Sequence, residues 1–115
     1  MENKLYPTQP NNDGFFYENE GDEAMGILTK EYENGHKVKQ LQLSTGKTAI
    51  VRELMGKEVL KYQRLAEGDR EKVLPAMMAI AIKIDGAELL MEDYLEDIKA
   101  KDYHKLMLAC QDLNF

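Results

Sequence analysis

Residues 72–84, KVLPAMMAIAIKI, are apolar on more than one side, and their reading decides the fold. At helical spacing Val73, Met77, Ile80 and Ile84 form one stripe, and Leu74, Met78 and Ala81 the stripe beside it. Ile82 widens the surface further. A helix apolar nearly all round needs cover on several sides, so the stretch reads as a central helical post for the flanking elements. Two uses of that surface stay open. It is the core of a small domain, or part of it is a Met-rich face left for a partner, since thioethers on flexible stems adapt to varied apolar shapes. Pro75 sits too deep for the first turn of a helix N-capped by Asp69, which predicts a bend at Pro75 or else a start nearer Leu74.

Upstream, residues 54–67 (LMGKEVLKYQRLAE) predict an amphipathic helix. Met55, Val59, Tyr62 and Ala66 stack inward with Leu65 beside them, while Lys57, Glu58, Lys61 and Arg64 lie outward. Gly68 suits the position after it, where left-handed geometry is free of a Cβ clash. Before that helix the period changes from helical to alternating. Residues 27–32 and 37–43 have β character and are split by Glu33-Asn34-Gly35-His36, which predicts a hairpin with a two-residue type I′ turn. Leu41 and Leu43 share one face and Gln40 and Gln42 the other. Residues 48–53 (TAIVRE) predict a third strand. Downstream, Asp85-Gly86 is read as ending the post. A short strand or turn near residues 87–90 and one or two helical turns follow. Residues 101–114 predict a last helix through Tyr103, Leu106, Met107, Cys110 and Leu113. The fold class is therefore α+β: an N-terminal antiparallel hairpin or three-stranded meander, then three to four packed helices.

The 115 residues suit one domain. Its net charge of −6 sits mostly at one end: through Met25, six acidic residues face only Lys4. Residues 1–24 read as an acidic, unstructured tail before a single domain of residues 25–115, because Pro7, Pro10 and residues 11–14 (NNDG) break structure and the acids repel one another. In that tail the trio Phe15-Phe16-Tyr17 either folds back onto the domain or adds a strand to it, or else serves as a docking motif. An acidic chain without a basic stripe is a poor match for phosphate backbones, which argues against nucleic acid. No run reaches the roughly 20 apolar residues of a membrane helix. The start MENKLYPTQP lacks a signal-peptide core, and the lone Cys110 suits a reducing cytoplasm.

No active-site constellation is legible, so no enzyme, cofactor or metal is expected. Gly46-Lys47-Thr48 fails as a phosphate loop because Leu41 stands where the motif needs glycine and a strand follows where it needs a helix. His36 and His104 have no ligand-spaced His or Cys. Cys110 lies on an apolar stripe, where a thiol is inert. Glu92, Asp93, Glu96 and Asp97 lack calcium-loop spacing and read as a solvated helix face.

Three passages carry a family resemblance. They are the hairpin turn Glu33-Asn34-Gly35-His36-Lys37-Val38 running into Gln40-Leu41-Gln42-Leu43, and the strand-to-helix passage Arg52-Glu53-Leu54-Met55-Gly56-Lys57-Glu58-Val59 with a further helix after Glu67-Gly68-Asp69. The third is the closing Lys101-Asp102-Tyr103-His104-Lys105-Leu106. From about Ile27 onward the chain resembles the tail assembly chaperones of tailed bacteriophages, the small proteins of Mu-like and P2-like tails. It departs from them in Glu58, where Asp is common, in the strand at residues 45–50, and in the acidic N-terminus. The resemblance implies a non-enzymatic cytoplasmic protein that binds the apolar, helical tape-measure protein and helps tail-tube subunits assemble around it. Met55, Tyr62, Met77, Met78, Met91, Tyr94 and Met107 are the partner-binding residues expected on that reading. Homo-oligomers with an apolar groove would suit the role, although no heptad repeat marks one. The rival reading is a small adaptor or regulatory domain that offers Phe15-Phe16-Tyr17 or the hairpin to a host or phage protein.

Overall fold

In the computed structural model, which describes residues 14–115, alternating and β-branched segments pair into one antiparallel sheet. Its strands follow chain order: β1 (Leu28–Glu31), β2 (Lys37–Gln42), β3 (Thr48–Arg52), β4 (Ile82–Ile84) and β5 (Ala87–Glu88). The helices are α1 (Glu20–Met25), α2 (Gly56–Ala66), α3 (Val73–Ala81), α4 (Met91–Glu96) and α5 (Ala100–Asn114). The fold is α+β, with α2 and α3 inserted between β3 and β4.

The post is shorter than its apolar length suggests. Helix α3 stops at Ala81, and Ile82, Lys83 and Ile84 extend into β4, where Ile82 pairs with Val51 and Ile84 with Ala49. Both isoleucines remain buried while Lys83 turns the other way, so a period of two does what a further helical turn would have done. Asp69 caps a single 3-10 turn at Arg70–Lys72, accepting from the Glu71 amide at 2.9 Å. α3 starts only at Val73, which puts Pro75 in its first turn, where a missing N–H costs no intrahelical bond. The later start replaces the expected bend.

Turn chemistry also moves. Asn34 does not have positive φ; Gly35 alone does, at 89°. The Tyr32 amide bonds the His36 carbonyl and the Gly35 amide the Tyr32 carbonyl, giving a three-residue loop with a left-handed glycine rather than a type I′ turn. The β2–β3 loop repeats this, with Gly46 at 91°. The type I′ turn is instead Asp85-Gly86, positive at both residues and joining Ile84 to its partner Ala87.

One sheet face, with Leu41, Ala49, Val51, Ile82 and Ile84, is covered by α5, on which α3 packs in the same core. Tyr62 and Ala66 of α2 and Tyr94 of α4 complete that core. On the opposite face Phe15, Val38 and Ile50 form a smaller cluster. The expected tail is thus structured from Gly14 onward. Phe15 is buried, Phe16 bridges Thr29 through two backbone bonds, and α1 is capped by Asn19. Burial of Phe15 and pairing on the open edge of β1 outweigh the repulsion among the acids. Residues 1–13 lie outside the described residues.

Candidate functional site

Lys39 has the same strand parity as Leu41, so β2 aims it at the helix-covered face, where it is 1% exposed. Three elements bring it carboxylates: Glu18 at 3.0 Å, Asp22 of α1 at 2.8 Å and Asp112 of α5 at 2.8 Å. Burial alone would lower the ammonium's pKa, but the three acceptors outweigh it and hold the group above the usual lysine range. Their oxygens lie within 4.8 Å of one another, as a divalent cation would require. The ammonium already stands among them and gives one N–H to each. The cluster therefore works as a clasp joining the N-terminal segment, the sheet and α5.

A second clasp starts α2. Arg52 forks onto Glu58 through both guanidinium nitrogens, and Glu58 Oε1 accepts the Met55 amide at 2.8 Å. Glu58 therefore faces inward, correcting its outward assignment. A carboxylate three residues into a helix can close back on the entry amide, and Arg52 stands at the end of β3 to meet it. The Arg52 hydrogen bonds hold its carboxyl down to about 2, from 4.5. A depressed acid stabilises the fold above its unfolded value, and that stability is lost as pH falls toward the folded value. Glu58→Gln is expected to cost at most about 3 kcal/mol at pH 6. The deficit should close between pH 4.5 and about 2. Urea titrations of both proteins across that window test this, and a pH-independent difference overturns it.

Asp102, at the start of α5, accepts from the Ser44 amide at 2.9 Å and its hydroxyl at 2.7 Å. Asp102 thereby tethers the β2–β3 loop to the start of α5. Beside it a cleft of about 600 Å³ opens between Tyr17, Gln42, Lys101 and Lys105. Cys110 is fully buried, and desolvation pushes its thiol up to about 12.

The expected partner-binding residues divide sharply. Met77 and Met78 are 0% exposed, and Tyr62 and Tyr94 are also core residues. Met91 and Met107 are half-buried against the core, and Met55 alone is exposed. The stripes at 77 and 78 face the sheet and the other helices, which use up the thioether surface that a partner would need. The exposed large apolar residues of the helical half are Met55, Leu60, Leu65, Leu90, Leu95 and Phe115. Asn114 Oδ1 accepts the Leu54 amide at 2.7 Å, which brings Met55 and Phe115 to one end. Leu65 and Ile80, with Lys61 and Arg64, line an open groove of about 290 Å³ between α2 and α3.

No family model, curated protein or solved structure matches the chain.

Two signals for these residues lie in the chain itself. Leu60 falls outside the 55-59-62-66 stripe of its own helix, so it cannot share that burial. Lys39 shares parity with Leu41, and strand alternation by itself puts a lysine on the core face.

Proposed function

We propose that the protein is a non-enzymatic assembly chaperone of a bacteriophage tail, holding an apolar, helical tape-measure protein soluble in the host cytoplasm. The observation that carries this reading is the six large apolar side chains, Met55, Leu60, Leu65, Leu90, Leu95 and Phe115, left exposed on the helical half. Exposed apolar groups that gather into a patch mark sites where a partner docks, and Leu65 borders the groove between α2 and α3. They stand on the outward surfaces and ends of helices, which suits helix-against-helix docking of a repetitive client. Met77 and Met78 are buried in the core behind these helices.

Co-expression with the tape-measure protein is expected to raise that client's soluble fraction and to give a joint peak on size exclusion. Combined Leu60→Ser, Leu65→Ser, Leu90→Ser and Leu95→Ser should weaken the complex while leaving the fold intact. Unchanged client solubility with no joint peak overturns the reading. Phe16 and Tyr17, both exposed beside the open edge of β1, favour the adaptor as second reading. Phe16→Ser with Tyr17→Ser separates the two: an adaptor loses its partner, whereas the chaperone keeps its client.

A further inference from the structure

The exposed faces of α2 and α4 are opposite in charge and alike in apolar content. On α2, Lys57, Lys61 and Arg64 recur at four and three residues and are all exposed. Leu60 and Leu65 flank them, and at 100° per residue the five side chains cover an arc of about 140°. That arc holds no acid, because Glu58 is turned inward against Arg52. On α4, Glu92 and Glu96 lie one turn apart with Leu95 beside them, Leu90 at the helix entry and Asp97 at its exit, all exposed. That arc holds no base.

Among the described residues, none of Lys57, Lys61, Arg64, Glu92, Glu96 or Asp97 closes an ion pair within its own chain. Both helices pack on α3, with their charged faces turned to solvent. Each copy therefore offers one basic-apolar and one acidic-apolar surface, and Lys61 among these charges feels an opposite one nearby, that of Glu58 on its own helix.

We propose that the protein associates with a second copy of itself, the Lys57–Lys61–Arg64 face of α2 in one copy lying against the Glu92–Glu96–Asp97 face of α4 in the other. The leucines supply buried area and the charges set the register and exclude like-signed pairings. The same helix pair serves a closed two-fold dimer, where it is made twice, or a head-to-tail chain, where it is made once per junction. Association hides Leu60, Leu65, Leu90 and Leu95 from water. The proposal rests on the two faces alone; self-association and client docking would use the same four leucines, so a bound client is expected to displace the second copy.

The test uses charge reversal in two complementary variants, measured by sedimentation and light scattering across the micromolar range. K57E/K61E/R64E makes both faces acidic, and E92K/E96K makes both basic. Wild type is expected to associate, and to do so less as salt rises. Each variant alone should associate about tenfold more weakly or worse, since attraction becomes repulsion. An equimolar mixture of the two should regain wild-type association, because each acidic face then meets a basic one. All five positions are exposed, and circular dichroism with thermal melting checks that the fold is kept. Should the multiple reversals unfold, Arg64→Glu against Glu96→Lys gives the same comparison. A wild type that stays monomeric hands α2 to an acidic partner of another sequence and overturns the proposal. So does a single variant that associates as wild type does, or a mixture no better than its parts.

Discussion

Lys39→Met is expected to lower the unfolding free energy by about 3 kcal/mol, near the low end of what removing one partner from a buried ion pair costs. The replaced ammonium is 1% exposed and meets Glu18, Asp22 and Asp112 at 2.8–3.0 Å. Without it three carboxylates converge on an apolar side chain, and they must repel, take up protons or swing out to water. Asp112, whose side chain is 52% exposed, can swing out, which keeps the loss at the lower end. Asp22 and Glu18 cannot do so without loosening α1 and the segment before it. Hydrogen exchange should therefore quicken in Glu20–Met25 well before the sheet is affected. Neutralising the acids together with the lysine (Glu18→Gln, Asp22→Asn, Asp112→Asn with Lys39→Met) is expected to recover most of the loss, since no uncompensated charge remains. A Lys39→Met protein within about 0.5 kcal/mol of wild type, the range of ordinary surface changes, would mean that the clasp holds nothing.

The second large effect concerns the methionines. Met78→Ala is expected to cost about 3 kcal/mol, within the range for a large buried side chain cut back to alanine. Met77→Ala should cost a similar amount, because both are 0% exposed in the same core. Leu60→Ser, at a position 61% exposed, should change stability by less than about 0.5 kcal/mol. Partner binding should follow the reverse order: Leu60→Ser weakens it, and Met78→Ala spares it at temperatures where the variant is folded. Thermal melts paired with client pull-down check both halves. A Met78→Ala protein as stable as wild type but unable to bind would return Met78 to the interface.

How much of the fold is legible in the chain follows from the range of the interactions involved. The last helix is legible because Tyr103, Leu106, Cys110 and Leu113 repeat on one face. The first three strands are legible because alternation and turn residues are short-range signals. Residues 82–84 are not. IKI continues a helical stripe as well as it begins a strand, and only the presence of Ala49 and Val51 opposite decides between them. Residues 14–25 resist reading for a related reason. Their composition is that of a solvated tail, and their order depends on Thr29, Lys39 and Asp112. The exposed apolar surface is hard to read from the chain because apolar content does not say which side of a helix is covered. Helical spacing offers Met77 and Met78 to a partner as readily as to a core, and the sheet and neighbouring helices enclose them.

By itself the amino-acid sequence determined the periods of the first three strands, of α2 and of α5, and that the fold is α+β, because each of those periods is set by neighbours within a turn or two. It also determined the charge asymmetry and the lone cysteine. Tertiary structure alone decided where α3 yields to β4, that Lys39 is enclosed by three acids, and that Leu65, Leu90 and Leu95 rather than the central methionines meet solvent. Each of those outcomes depends on groups far apart in the chain, whose proximity exists only once the sheet and helices have packed.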